Sequence, residues 1–436
     1  MKRALLAIAL GAVAAGVAAL LTRPPPPPEV APFPSRPAAE RESAPDKELP
    51  AAEPQGLTKG PWLVRPSKTG VTIMFESDAE AGATVRYGEG EALDKEKRVR
   101  PREKVAYPAG YYGQGPKAVR YLFAAELEGL KPGTRYAYHV EVAGAKSGEA
   151  FFKTVPEKPE KVTFIAYGDS RSNPDVHEAL ASRFLAHEPD FILHTGDFVD
   201  IGHYAEWGRL VFEPLAGVID RVSLRPCIGN HEGDGLAYRQ LFGVPEGKPL
   251  YYSFDHGNAH VVSLDTWTTM DPARQAKMRD WCERDLAASR APWKVVFGHY
   301  PSYNAGGHRS RWGREDFVPL YHRHGVDLVI SGHSHMYERF VPMTSKENSK
   351  RPVTYVTAAG GGAVLYETRP HPYLAAAKRV HHYAVVTVEG ATLTLEAYDD
   401  AGERIDRVSW SKAGGVPDAA YRARARPREA FDEAAP

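Results

Sequence analysis

The run FIAYGDSRSN, residues 164–173, decides how this chain is read. Phe164 to Tyr167 are apolar or aromatic at successive positions, as in a strand covered on both faces. Gly168 then allows a tight turn, and Asp169 is presented at the carboxyl end of the strand. Taken alone, the decapeptide reads as an ordinary strand-to-loop turn, because Asp and Gly are the commonest turn residues. Repetition changes that reading. Five apolar runs end in a glycine followed by a polar residue able to bind metal: Gly168-Asp169, Gly196-Asp197, Gly229-Asn230-His231, Gly298-His299 and Gly332-His333-Ser334-His335. In an α/β sheet, ligands collect in the crevice beyond the carboxyl ends of the strands, so these residues are expected to converge.

Working outward, the runs VTFIAYGD, DFILHTGD, SLRPCIGN, HVVSLD, WKVVFGH and VDLVISGH alternate with helical stretches such as PDVHEALASRFLAHEP and ARQAKMRDWCERDLAAS. That alternation defines an α/β fold with a sheet covered on both sides. YAVVTVEGATLTLEAYDDAGERIDRVSW, residues 383–410, reverts to alternating hairpin strands. The α/β domain is therefore expected over residues 160–411, and a polar, disordered tail over 412–436.

The chain has 436 residues, too many for one core, so at least one further boundary is expected. Residues 57–155 supply it. GVTIMFES, ATVRYGEG, RYLFAAELEGL and RYAYHVEVAG are short alternating runs separated by Gly, Pro and Asp, the pattern of an all-β sandwich. Ahead of it, Lys2 and Arg3 precede an apolar run from Ala4 to Leu21, the layout of an export signal. Residues 1–22 are thus a signal peptide or a membrane anchor; the run is Ala-rich and barely spans a bilayer, so cleavage and a tether through residues 4–21 both stay open. The protein is expected to be exported, to the periplasm or the extracellular space. Residues 23–56, with five consecutive prolines from Pro24 to Pro28, read as an extended disordered linker. The 55 basic and 55 acidic residues balance, which indicates no nucleic-acid partner. Cys227 and Cys282 are too few for a disulfide framework or a cysteine-built zinc site and read as two buried thiols.

At the strand ends the text resembles the calcineurin-like metallophosphoesterases and, within them, the purple acid phosphatase branch. GDSR, GDFVD, GNHE, VVFGH and GHSHMYER stand in the order of that family's motifs, over residues 162 to about 345. KGPWLV and GLKPGTRYAYHVEV match the ends of the fibronectin type III-like module that precedes the catalytic domain in this branch. The resemblance implies a β-sandwich core flanked by helices, αββα, preceded by the all-β sandwich. It also implies an exported binuclear-metal phosphoesterase that hydrolyses small phosphate monoesters by in-line attack of a metal-bridging hydroxide.

Transferred position by position, the motifs make Asp197 the bridging carboxylate, with Asp169 and His335 on one metal and Asn230, His299 and His333 on the other. Imidazole with carboxylate suits iron paired with zinc or manganese. His231, directly after Asn230, is expected to serve the leaving oxygen. Two departures from the family pattern stand out. Asp200 occupies the place of the tyrosine that colours purple members; either it ligates the first metal or it turns away. Arg171 occupies the place of a histidine found in many members; its planar fork suits two phosphate oxygens, and a salt bridge to a neighbouring carboxylate is the competing role. His308, in PSYNAGGHRS, matches a substrate-contacting loop histidine, with a merely exposed histidine as the competing role. AAGGGAVLY lacks the Lys and Ser/Thr of a P-loop and reads as a tight turn against the metal site. A phosphodiesterase or nucleotide hydrolase, and a catalytically silent envelope-binding protein, are the alternatives on the same core. Oligomeric state is not legible.

Overall fold

The computed structural model describes residues 56–109 and 116–434. The expected export segment and the linker up to residue 55 lie outside them. Among the described residues, no helix is long and apolar enough to cross a membrane.

The first layer pair is the N-terminal sandwich. One sheet orders its strands Leu57–Val64, Gly70–Ser77, Lys117–Glu128 and Glu103–Pro108; the other carries Lys95–Val99, Ala83–Glu89, Arg135–Val142 and Ala145–Lys146, with Ala150–Lys153 also on Arg135–Val142. Period-two alternation turns Phe75, Phe123, Tyr136, Tyr138 and Phe152 inward, where they form one apolar cluster.

The C-terminal core consists of two seven-stranded sheets. Lys161–Tyr167, Phe191–His194 and Ser223–Pro226 run parallel in the first, extended by the C-terminal hairpins His382–Glu389, Thr392–Asp399 and Arg404–Ala413. Ala259–Ser263, Trp293–Gly298, Leu328–Ser331 and Thr354–Ala358 run parallel in the second. The six apolar runs are therefore divided three and three between two sheets, which corrects the single covered sheet read from the alternation. One face of each sheet packs on the other: Phe164, Phe191 and Leu193 meet Val295, Phe297 and Ile330. The other faces are covered by helices. Leu180 of Pro174–Ala181 packs beside Ile165 and Tyr167 on the first sheet; Met278, Cys282 and Leu286 of Pro272–Ala288 pack beside Val262 and Val296 on the second. The result is the αββα layering. Both cysteines are free and buried within it.

Sandwich and core share one apolar cluster. Trp62 lies with its ring 4.6 Å from that of Phe212, and its Nε1 donates to the Leu241 carbonyl at 3.0 Å. Leu63 N–H donates to Ile219 O at 2.9 Å and the Tyr138 hydroxyl to Asp220 O at 2.7 Å. Buried Glu76 of the sandwich accepts from Lys59 at 2.6 Å and from the Tyr204 hydroxyl of the core at 2.5 Å.

The expected disordered tail is a second correction. Residues Val416–Pro417 pair with the last core strand, Asp418 caps the short helix Ala419–Arg422, and Arg426–Pro427 pairs with Met343–Thr344. Tyr421 stacks on Trp410 at 4.8 Å, Phe431 is buried beside Phe340, and Asp432 pairs with Arg314 at 2.6 Å and Arg311 at 2.7 Å. Single aromatics ten residues apart in polar text carry no periodicity, and the pockets they fill are built by residues distant in the chain.

Truncating Trp62 removes an aromatic side chain and strands the Leu241 carbonyl. Trp62→Ala is expected to lower stability by about 3–5 kcal/mol in chemical denaturation. Acid should also destabilise the fold. His177 is wholly buried between the Tyr167 hydroxyl and the Leu210 carbonyl, and burial holds both it and buried His322 down at about 4. An unfolded histidine titrates near 6.5, so between those values the unfolded chain binds the extra proton. The contribution of each is complete above pH ~6.5 and is lost as pH falls toward 4. Denaturation at pH 5 against pH 7 should show a loss on the order of 2 kcal/mol per histidine, and His322→Gln should shrink the difference.

Candidate metal centre

Three of the strand ends turn through a conformation that side chains disfavour. Asp169, Asp197 and His333 have φ of 57°, 59° and 67°. Each such residue costs on the order of 1 kcal/mol and persists only where its surroundings hold it. The holding contacts are visible. Asp169 N–H donates to Gly196 O at 2.9 Å, Asp197 N–H to Glu232 Oε2 at 2.9 Å, and His333 N–H to both Asp169 oxygens at 3.0 Å. The adjoining glycines are required for close approach: a Cβ on Gly229 would sit 2.2 Å from Asp197 Oδ1, and one on Gly332 would sit 2.6 Å from Asp169 Oδ2.

These turns bring two groups of donor atoms together. Asp169, Asp197 and His335 form one, and Asp197, His299 and His333 the other; within each, the donor atoms lie within 4.8 Å of one another. Asp197 belongs to both. Asn230 Oδ1 is 2.9 Å from His299 Nε2, at the edge of the second group. The aspartates follow strands of the first sheet, and His299, His333 and His335 follow strands of the second, so the centre straddles the seam between the sheets.

The imidazoles are oriented by backbone carbonyls. His299 Nδ1 meets Thr195 O at 2.8 Å, His335 Nδ1 meets Val364 O at 2.8 Å, and His231 Nδ1 meets Asp200 O. A carbonyl only accepts, so Nδ1 carries the proton and Nε2 of the neutral ring presents a lone pair. His335 Nε2 then faces Asp169 Oδ1 at 3.3 Å, and His299 Nε2 faces Asp197 Oδ1 at 3.3 Å. In the neutral ring such lone pairs oppose the carboxylate oxygens, so a proton or a metal cation must lie between them. Burial alone would lower His299, but the Asp197 carboxylate overrides it and holds the ring up at about 9. The same field favours a dication. Carboxylate, amide oxygen and imidazole are the donor set of iron, zinc and manganese, so the residues present fit a pair of such ions.

The remaining sequence candidates surround this cluster. Asp200 is turned to Ser172, whose hydroxyl donates to it at 2.6 Å, and to Arg171 Nη1 at 3.6 Å; it is in neither donor group. Arg171 lies 3.7 Å from Asp197 Oδ2, and its buried Nε has no hydrogen-bond partner. His231 Nε2 stands 3.9 Å from Asp197 Oδ2 on a partly exposed ring. His308 stacks 5.1 Å from His333 and bonds the Tyr366 hydroxyl at 2.7 Å. AAGGGAVLY packs beneath the first strand end: Gly361 N–H donates to Gly168 O at 2.8 Å and Ala363 N–H to Asp169 O at 2.9 Å.

Three further residues bear on the site and were not singled out from the sequence. Tyr300 sets its ring 4.4 Å from His333, and Tyr366 stacks on His335 at 4.4 Å. Tyr300 directly follows His299, a position that could have drawn attention; Tyr366 gave no chemical signal. Glu232 is the most consequential. Its buried carboxylate accepts from the N–H groups of Asp197, Phe198 and Gly229 at 2.7 to 2.9 Å and clamps the Asp197 turn to the Asn230 turn. Burial, followed by the repulsion of Asp197, pushes it up to about 7. Removing it would leave those donors buried without an acceptor. Glu232→Ala is expected to cost about 3 kcal/mol in denaturation and to weaken metal retention by roughly 10- to 100-fold, read by elemental analysis after dialysis.

Similarity to known proteins falls on the same two domains. Residues 162–337 match the calcineurin-like phosphoesterase family, and residues 62–154 match the purple acid phosphatase N-terminal domain. Acid phosphatase type 7 of Danio rerio is 27% identical over 356 residues, covering 69% of this chain and 80% of that protein. Purple acid phosphatase 21 of Arabidopsis thaliana is 27% identical over 286 residues, 60% of this chain and 61% of that protein. The structure of a purple acid phosphatase from yellow lupin (Lupinus luteus) seeds superposes with a TM-score of 0.68 at 19% identity, covering 83% of this chain and 75% of that one. The chain thus carries a calcineurin-like phosphoesterase domain over residues 162–337, preceded by a purple acid phosphatase N-terminal domain over residues 62–154.

Proposed function

We propose that this protein is an exported phosphomonoesterase whose paired metals are held by Asp169, Asp197, Asn230, His299, His333 and His335. A purple acid phosphatase-like fold implies a binuclear metal centre, and the family acts on small phosphorylated substrates. The observation that carries the reading is the membership of Asp197 in both donor groups. A carboxylate with two oxygens is suited to a bridging position between two cations. Bound there, the pair would supply positive charge for a phosphate and acidify water for attack on phosphorus.

The chain's own groups divide the remaining work. Arg171, with an unused Nε and loose contacts to Asp197 and Asp200, is free to swing its fork onto two phosphate oxygens. Its nearness to those carboxylates keeps the guanidinium at the site before substrate arrives, so both roles weighed for it coexist. Asp200, held by Ser172, serves Arg171 and the His231 carbonyl contact and is not assigned to a metal. His231 has Nδ1–H fixed on Asp200 O, so in the imidazolium form its Nε2–H is the proton passed to the departing alcohol oxygen, which leaves the ring neutral with a lone pair on Nε2. His308, fixed by Tyr366, borders the second donor group and meets the far side of the phosphate. Export rests on Lys2, Arg3 and the apolar run Ala4 to Leu21.

Asp197→Asn is expected to lose metal and activity together, by elemental analysis and hydrolysis of an aryl monoester. His231→Ala should retain metal and lose about 10²- to 10⁴-fold in kcat. Full activity in Asp197→Asn would overturn the assignment, and faster hydrolysis of an aryl diester than of the monoester would replace the monoesterase with a diesterase.

A further inference from the structure

We propose that the joint between the sandwich and the catalytic core holds a second ligand site, for a small organic anion with an apolar body. A cavity of about 290 Å³ lies there, with Val64 and Arg65 contributed by the sandwich and Leu224, Arg225, Phe242 and Val244 by the core. Pockets of this kind, apolar walls with a few convergent polar groups at a domain boundary, are where small ligands bind.

The polar groups of this cavity are unequally satisfied. The hydroxyls of Tyr238 and Tyr252 on its wall are both consumed, each donating to Pro226 O at 2.9 Å. Arg225 is not. Its Nη2 donates to Pro66 O at 3.0 Å and its guanidinium lies 4.5 Å from the Phe254 ring, but its Nε is buried with no hydrogen-bond partner. Burial, with the like charge of Arg65 nearby, pulls its guanidinium down to about 10. Arg65 is itself weakly engaged, 3.3 Å from Gly243 O and 3.9 Å from the exposed Glu126 carboxylate.

Arg225 is half-buried with its Nε shielded from water; drawing a cation even partly out of water without a counter-charge is costly, and a guanidinium has five N–H donors to satisfy. A carboxylate, sulfonate or phosphate monoester matches that fork in shape and charge, while Val64, Leu224, Phe242 and Val244 cover an alkyl or aryl body. A neutral ligand would leave Arg225 uncompensated, and an organic cation would be repelled by both arginines. Because the walls come from both domains, occupancy ties them together and raises the stability of the whole chain.

The test is calorimetric titration of the metal-loaded full chain with sodium octanoate, in inorganic phosphate sufficient to fill the metal centre. One saturable site is expected. Octan-1-ol and octyltrimethylammonium should bind about tenfold more weakly or worse. Arg225→Met should weaken octanoate by a similar factor, and Val244→Trp, which fills the cavity but keeps both arginines, should abolish binding. Should Arg225→Met fail to fold, Val244→Trp carries the test. Absence of a saturable site, competition by phosphate, or undiminished affinity in a folded Val244→Trp would each overturn the proposal; competition by phosphate would place the octanoate at the metal centre.

Discussion

Everything in the catalytic core is organised around one buried carboxylate on a strained turn. Asp197 is 1% exposed, in the left-handed region, and within reach of donor atoms from both sheets. Burial would push its proton affinity up, yet His299 and His231 together hold it well below the usual carboxylate range. A buried negative charge of this kind is tolerable only inside a ring of positive or proton-bearing groups. The turn is kept in place by Glu232, a second buried acid whose oxygens are spent on backbone N–H groups. Two acids so close in the interior oppose one another, which explains why burial and Asp197 raise Glu232 while the histidines lower Asp197.

The division of the core into two sheets follows from the same requirement. One sheet can deliver residues to a crevice at its edge, but the two donor groups draw aspartates from one sheet and imidazoles from the other. Face-to-face packing of the sheets, with Phe164 and Phe191 against Phe297 and Ile330, therefore sets the separation of the donors as well as forming the core. Relaxation of that packing would move His299 relative to Asp197, so the stability of the apolar seam and the geometry of the centre are one property. The N-terminal sandwich contributes through the loop that follows Asp200, where Tyr204 reaches Glu76 and the Tyr107 ring lies 4.7 Å from that of Tyr204. Its contact with the core is a shared apolar cluster, and the joint is a structural part of the enzyme.

The sequence alone determined the elements and the chemistry at their ends. Apolar runs closed by a glycine and a ligand-type residue are local patterns, and Gly168-Asp169 or Gly332-His333 can be recognised without knowing what they face. Tertiary structure decided which sheet each run joins, because a strand apolar on both faces looks the same under a helix as under another sheet. It decided the partners of Asp200 and Arg171, since charge pairing depends on distances of 3 to 4 Å between side chains 29 residues apart in the chain. It likewise decided the fate of the C-terminal residues, where Tyr421 and Phe431 have no periodic neighbours and are ordered by pockets made elsewhere, and the role of Glu232, whose value lies in four backbone N–H groups that no sequence pattern exposes. Chain-local chemistry is written in residue type and spacing; the choice among contacts is made only when burial forces each polar group to find a partner.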